Sequence, residues 1–155
     1  MPTLATARPE DAPALTALAL RSKAHWGYDE AFMEACREEL RVPPEAFSEE
    51  TVRLARNGDT LAGFYRLALE GETAEIEALF VDPPFIGTGI GRALWHDLVE
   101  RVQAISARRL LCQSDPFAEG FYLAMGMARI GERESGSLPG RMLPLLEMQL
   151  LQVRD

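Results

Sequence analysis

Leu79-Phe80-Val81-Asp82-Pro83-Pro84-Phe85-Ile86-Gly87-Thr88-Gly89-Ile90-Gly91-Arg92-Ala93-Leu94 is the stretch that decides the fold of this chain. An apolar strand runs into a proline-marked turn, glycine then takes three alternate positions, and a helix follows. Alternate glycines remove side chains where the backbone must approach something closely and expose its N–H groups. Those donors fall where a helix begins, so unpaired amides and the positive end of the helix dipole converge on one spot. Phosphate or another anion fits such a spot.

Several loops share this outline. A dinucleotide fingerprint needs a third glycine at the position of Arg92, and it is missing. A P-loop ends in Gly-Lys-Ser/Thr, but the chain's single lysine is Lys23. A strand-to-helix turn with capping glycines and no ligand is the plainest alternative.

Val81-Asp82-Pro83, then Gly87-x-Gly89-x-Gly91 and Ala93-Leu94, resembles the acetyl-CoA pyrophosphate loop of the GNAT N-acetyltransferase superfamily. The resemblance extends over about residues 3 to 150. Thr3 to Ala7 followed by Arg8-Pro9-Glu10-Asp11-Ala12 matches the family's opening strand and first helix. Arg109-Leu110-Leu111-Cys112-Gln113-Ser114-Asp115, then Phe121-Tyr122-Leu123-Ala124-Met125-Gly126-Met127, matches its later strand, turn and Phe-Tyr-x-x-x-Gly helix. The family usually carries Gln or Arg three positions before the first glycine of its Gly-x-Gly pair, and this chain has Ile86. That departure removes a side-chain phosphate contact and leaves the backbone ones. The resemblance implies acetyl-CoA as co-substrate, held by Leu79, Phe80, Val81, Ile86, Gly87, Thr88, Gly89, Ile90, Gly91, Arg92, Ser114 and Tyr122.

The composition narrows the class. With 155 residues, 47% of them hydrophobic, the chain is expected to form one globular domain, residues 1–155. A formal net charge of −8 argues against nonspecific nucleic-acid binding, which needs clustered cations. It fits an amine acceptor, although charge that merely keeps a protein dissolved explains it as well. Two cysteines, Cys36 and Cys112, make no disulfide framework, and His25 and His96 lack metal-ligand spacing, so no metal is expected. No apolar run approaches the ~20 residues of a membrane span, and no basic segment precedes an apolar one at the amino terminus. The expected setting is cytoplasmic, with no membrane partner and with a homodimer left open.

Periodicity completes the organisation. Leu4 to Ala7 reads as a strand, and Pro9 starts a helix reaching about Ser22 with Leu15, Leu18 and Ala19 on its apolar face. Asp29 can cap a second helix, ended by Pro43-Pro44. Thr51 to Ala55 and Thr60 to Leu69 read as strands joined at Asn57-Gly58, a strong hairpin signal. Thr73 to Val81 follows Gly71, and Ile90, Leu94, Leu98 and Val102 mark a helix. Leu110 to Gln113 is a strand, Pro116 opens a helix, and Met127 to Ile130 and Leu143 to Leu150 end the sheet. The class is mixed α+β. By resemblance it is a GNAT-like, mostly antiparallel sheet of about six or seven strands flanked by about four helices.

Acetyl transfer to an amine sets three demands: a polarised thioester carbonyl, a neutral amine and a stabilised thiolate. Keeping an ammonium of pKa about 10.4 neutral at pH 7 costs about 4.6 kcal/mol. Glu75 and Glu77 share one face of a strand and are the candidate bases, against a reading in which they are only the solvated face. By resemblance, Glu75 falls where many relatives place their base, and the Leu79 backbone N–H polarises the carbonyl. Tyr122 is the candidate leaving-group donor, acting by hydrogen bonding because a phenol is a weaker acid than a thiol. Packing within the core is its other reading. The acceptor site, by resemblance, lies between the first two helices and the final hairpin, where His25, Trp26 and Tyr28 form one loop and Ser137 and Arg141 belong to another. Rings and polar groups on loops suit ligand contact, although Trp26 and Tyr28 would also cover a core. The expected activity is direct transfer in a ternary complex to a small-molecule amine. A noncatalytic acyl-CoA sensor and a protein or peptide N-acetyltransferase are the alternatives.

Overall fold

Reversals dictated by glycine build the first half of the sheet. The chain turns at Gly58 between β2 (Thr51–Asn57) and β3 (Thr60–Glu70), and at Gly71 between β3 and β4 (Thr73–Val81). The computed structural model describes residues 2–150. Its other strands are β1 (Thr3–Thr6), β5 (Arg109–Gln113), β6 (Ala128–Glu134) and β7 (Met142–Gln149). They lie in the order β1-β2-β3-β4-β5-β7-β6, and every neighbouring pair is antiparallel except β4 and β5. A parallel pair needs a long crossover. Here it is α4 (Ile90–Ala104), whose Ile90, Leu94, Leu98 and Val102 are all buried.

Alternation along the central strands divides the core in two. Leu54 and Phe64 face α1 (Ala12–Ala24) and pack with its Leu15 and Leu18. Their neighbours Ala55 and Tyr65 face the other way and join the α4 side chains. Asp29 caps α2 (Glu30–Leu40) by accepting from the Phe32 N–H at 2.8 Å. A single turn, α3 (Ala46–Glu49), escapes sequence periodicity because so short a helix has no repeat to show. The last helix, α5 (Glu119–Ala124), starts later than Pro116. Asp115 instead accepts from the Phe117 N–H at 2.9 Å and holds residues 115–118 as a turn. β6 runs past Ile130 to Glu134 because it pairs with β7 along its whole length.

Two features of β4 distort the centre of the sheet. Arg66 of β3 lies opposite Ala78 and Leu67 opposite Ile76, so Glu77 is a bulge with no partner residue. On its other side β4 pairs with β5 only from Thr73 to Ile76, opposite Arg109 to Cys112, and the two strands then part.

The sheet is tied to α4 by a half-buried ion pair. Arg53 donates two hydrogen bonds to Asp97 at 2.9 and 2.8 Å, and the Tyr65 hydroxyl donates a third at 2.7 Å. Burial opposes the Asp97 charge, but the bonds from Arg53 and Tyr65 outweigh it and hold the carboxyl below its ordinary pKa. Asp97 therefore contributes stability that is present above the unfolded carboxylate pKa and lost as pH falls through the folded value. Arg53→Leu should cost about 3 kcal/mol in urea unfolding at pH 7. The deficit relative to the native chain should shrink as pH falls below about 4, where Asp97 protonates first in the variant and, lower still, in the native chain. A deficit independent of pH would assign the loss to packing.

Candidate active site

The parting of β4 from β5 leaves amides without a ladder. The Asp82 N–H donates to Ala62 O at 2.8 Å, so Asp82 and, two residues back, Phe80 face β3. By the alternation of an antiparallel pair, the N–H groups of Leu79 and Val81 face the opening instead. Two cavities meet at this opening. A cleft of about 310 Å³ extends along the glycine loop, and a smaller cavity of about 160 Å³ extends towards β3 and α2. Lys23, Leu79, Phe80, Asp115, Ala118 and Tyr122 line both.

The larger cleft is walled mainly by apolar groups. At its end Gly89 caps α4 with φ of 93°, a left-handed conformation that suits glycine, and no side chain caps the helix there. The first amides of α4 have no intrahelical acceptors and open towards the cleft that Gly87, Gly89, Gly91 and Arg92 line. At Gly91 an added Cβ would come within 3.3 Å of Phe121, so glycine lets α5 approach α4. Arg92 is the cation at the glycine end of this cleft and forms no ion pair among the described residues. Ile86 also lines the cleft, with 42% of its surface exposed. Thr88 and Ile90 do not line it: the Thr88 N–H bonds back to Phe85 O, and the Ile90 side chain turns into the core. Such a cleft, with uncommitted amides at one end and an apolar channel leading to the strand opening, fits a phosphate-bearing thioester.

The smaller cavity carries the carboxylates. Glu75 accepts from Arg133 at 3.0 Å, whereas the Glu77 carboxylate forms no ion pair among the described residues. Glu77 is open to solvent but stands within the concave wall. Crowding by that wall, then the charges of Glu75 and Glu50, raise its pKa. Glu50 is itself engaged by two Arg66 bonds at 2.8 Å. Ser114 is buried, donates to Asp115 O at 2.7 Å and lines this cavity instead of the glycine cleft.

Tyr122 stands between the two compartments, 5% exposed, with its hydroxyl against the Cys112 thiol. Burial is the main reason that its phenol stays protonated far above the ordinary range, and burial pushes the Cys112 thiol up to about 12. Both cysteines are free, and Cys112 is a neutral core thiol.

The aromatic loop divides. His25 is exposed and lines neither cavity, its ring meeting Trp26 edge-on at 5.6 Å. Trp26 lines the glycine cleft and stacks on Phe117 at 5.4 Å. Tyr28 stacks on Phe32, donates to Asp115 at 2.8 Å and accepts from Arg141 at 2.9 Å. Ser137 bonds to Glu39 on the wall of the smaller cavity. Sequence reasoning missed Lys23 and Asp115, whose carboxylate meets the Lys23 ammonium at 3.0 Å. They are 92 positions apart, and no local pattern joins them.

A sheet opened at one parallel pair, a glycine-capped helix beside it and two compartments meeting at the opening define an acyl-transfer fold. The family profile described as an acetyltransferase (GNAT) domain matches residues 8–138, and the chain belongs to that family. Family membership implies an acyl-CoA donor. The N-alpha-acetyltransferase RimI of Mycobacterium tuberculosis is 30% identical over 101 residues, 59% of this chain and 64% of that relative. Among solved structures, the PaiA N-acetyltransferase of Thermoplasma acidophilum in complex with coenzyme A has a TM-score of 0.76 at 18% identity, over 97% of this chain and 99% of that one. The ribosomal-protein-S18-alanine N-acetyltransferase of Escherichia coli has a TM-score of 0.74 at 16% identity, over 100% of this chain and 97% of that one. Among the described residues no helix is long and apolar enough to cross a membrane.

If the glycine amides hold the donor's phosphates, Gly89→Val should weaken coenzyme A binding at least 10-fold by calorimetry. A β-branched residue is strained at that φ and its side chain would project into the phosphate path. Ile86→Arg should tighten binding a few-fold by adding a charge-assisted contact. Trp26→Ala should raise the dissociation constant about 5-fold, as expected for an aromatic wall. Normal binding by Gly89→Val would put the phosphates elsewhere.

Proposed function

We propose that the protein transfers the acetyl group of acetyl-CoA to the amine of a small acceptor by direct attack in a ternary complex. The observation that carries this reading is the meeting of the two compartments at Leu79 and Tyr122. One compartment has the amides for a pyrophosphate, the other has the carboxylates for an amine, and the opening between them is where the thioester would lie. Acetyl-CoA supplies an activated acyl group. The protein's task is to orient it, polarise its carbonyl and receive the amine's proton.

Each demand has a candidate residue. The free Leu79 N–H would donate to the carbonyl oxygen, a preorganised contact worth about 3 kcal/mol in a dry site. Glu77 would take the amine's proton, directly or through water, because its raised pKa makes it a better base than the Arg133-paired Glu75. Tyr122 stays protonated and would donate a hydrogen bond to the departing thiolate. The neutral core thiol of Cys112 has no means of becoming a nucleophile, which supports direct transfer over a covalent acyl-enzyme.

A cavity of about 160 Å³ supports a small acceptor, or only the reacting end of a larger one. Likeness to the N-alpha-acetyltransferase RimI favours a second reading, in which that reacting end is the N-terminus of a peptide. Coenzyme A release measured over a panel of small amines and short peptides separates the two.

Tyr122→Phe keeps the ring and should preserve the melting temperature while lowering kcat 10- to 1,000-fold. Glu77→Gln should lower kcat/KM by 10- to 100-fold and move the acidic limb of its pH profile towards the pKa of the free amine. Glu75→Gln should change either by less than 5-fold. Unchanged turnover with a lost melting temperature would make Tyr122 a packing residue, and equal effects of the two glutamate variants would remove Glu77 from the role of base.

A further inference from the structure

Lys23, the chain's single lysine, lies at the end of α1 and lines both compartments where they meet. Its side chain is only 13% exposed, and its Nζ is 3.0 Å from Asp115 Oδ2. That carboxylate is shared. Tyr28 donates to it at 2.8 Å, the Phe117 N–H at 2.9 Å, and the Arg141 guanidinium approaches within 3.9 Å. Lys23 and Arg141 against Asp115 leave a local charge of +1 in a chain whose net charge is −8. An ammonium has three N–H donors, and Asp115 is the one hydrogen-bonding partner of Lys23 among the described residues. Like Lys23, Leu79 and Tyr122 line both compartments, and an aromatic wall backs the charge, with the Tyr28 and Phe32 ring centroids 5.6 and 5.8 Å from Nζ.

We propose that Lys23 is a catalytic residue, its ammonium fixed by Asp115 so as to donate to the thioester carbonyl oxygen and to the oxyanion formed on it. This rests on the acetyl-transfer reading above. As the amine nitrogen bonds to the carbonyl carbon, the carbonyl π pair moves to oxygen beside Lys23. When the C–O double bond reforms, the C–S bond breaks and its electron pair leaves on sulfur. The amine's proton goes to Glu77 or water, and Lys23 keeps its own throughout. The cluster's positive charge has a second effect: it disfavours a protonated amine in the neighbouring cavity and so lowers the acceptor's pKa. The charged groups facing Lys23 are Asp115 and Arg141, with the Tyr28 phenol between them, and Glu39, Glu75, Glu77 and Arg66 line the cavity beyond.

The test compares Lys23→Met and Lys23→Arg with the native protein, reading the carbonyl band of bound ¹³C-labelled acetyl-CoA by difference infrared spectroscopy alongside kcat and its pH profile. The native complex should show the band below that of free acetyl-CoA, and Lys23→Met should return it towards the free position. Lys23→Met should also lose about 100-fold in kcat with the KM for acetyl-CoA changed less than 3-fold. The acidic limb of its kcat profile should move to higher pH, and Lys23→Arg should recover part of each effect. Asp115 keeps Tyr28, Arg141 and the Phe117 amide in Lys23→Met, so its carboxylate is not left unpaired, and Lys23→Gln, whose amide can still donate to Asp115, replaces it if the first variant melts early. Tight acetyl-CoA binding with an unmoved band and limb would overturn the assignment of Lys23 alone. Failure of the native protein to bind acetyl-CoA would overturn the acetyl-transfer reading and the assignment together.

Discussion

The end of pairing between β4 and β5 at Ile76 and Cys112 is the constraint on which the rest of this structure depends. A sheet that stayed paired would satisfy the amides of Leu79 and Val81 internally and close the space between the compartments. Parting the strands exposes polar backbone, and unpaired backbone groups in an interior cost about 1–3 kcal/mol each. In the proposed reading, those free groups receive an extended ligand carrying its own amides and carbonyls. The Glu77 bulge increases local twist and turns the end of β4 out of line with β5.

Around that opening each element contributes a different kind of group. β4 brings free backbone donors, α4 brings its glycine-capped N-terminus, and α5 brings the phenol of Tyr122. α1 brings an ammonium, and the loops around residues 28, 115 and 141 hold that ammonium in place. Charge follows the same division. Negative groups gather where an amine would enter, and the positive cluster sits where negative charge would develop. Preorganisation of this kind lowers the barrier because the dipoles need not reorient as charge moves. The Arg53–Asp97–Tyr65 contact lies away from the opening and serves the frame, holding α4 on the sheet so that its N-terminus stays aimed at the cleft.

The glycine loop, the two hairpins at Gly58 and Gly71 and the α4 face could be read from the sequence because each is local. A turn needs its glycine within a few residues, and a helix face repeats over one span. The GNAT resemblance rested on the same local strings and led to the same fold. What escaped was set by pairing across the chain. The β4 bulge depends on the register with β3, which nothing between Thr73 and Val81 announces. Trp26 and Tyr28 are close together on one loop, yet Trp26 lines the glycine cleft while Tyr28 bonds Asp115 and Arg141. Lys23 entered the sequence reading only as the chain's single lysine, and its place at the opening depends on Asp115, 92 positions away. Glu77 gained over Glu75 only once Arg133 had taken Glu75.

Hydrogen exchange at single-residue resolution, with and without coenzyme A, tests the claim that the opened strand is the donor site. The Leu79 and Val81 amides, free on the open side of β4, should exchange readily in the unliganded protein and slow at least 10-fold when coenzyme A binds. The Gly87–Arg92 amides should slow with them, while the edge strand β6 stays unchanged. Protection confined to other parts of the chain, with Leu79 and Val81 exchanging as before, would contradict the account.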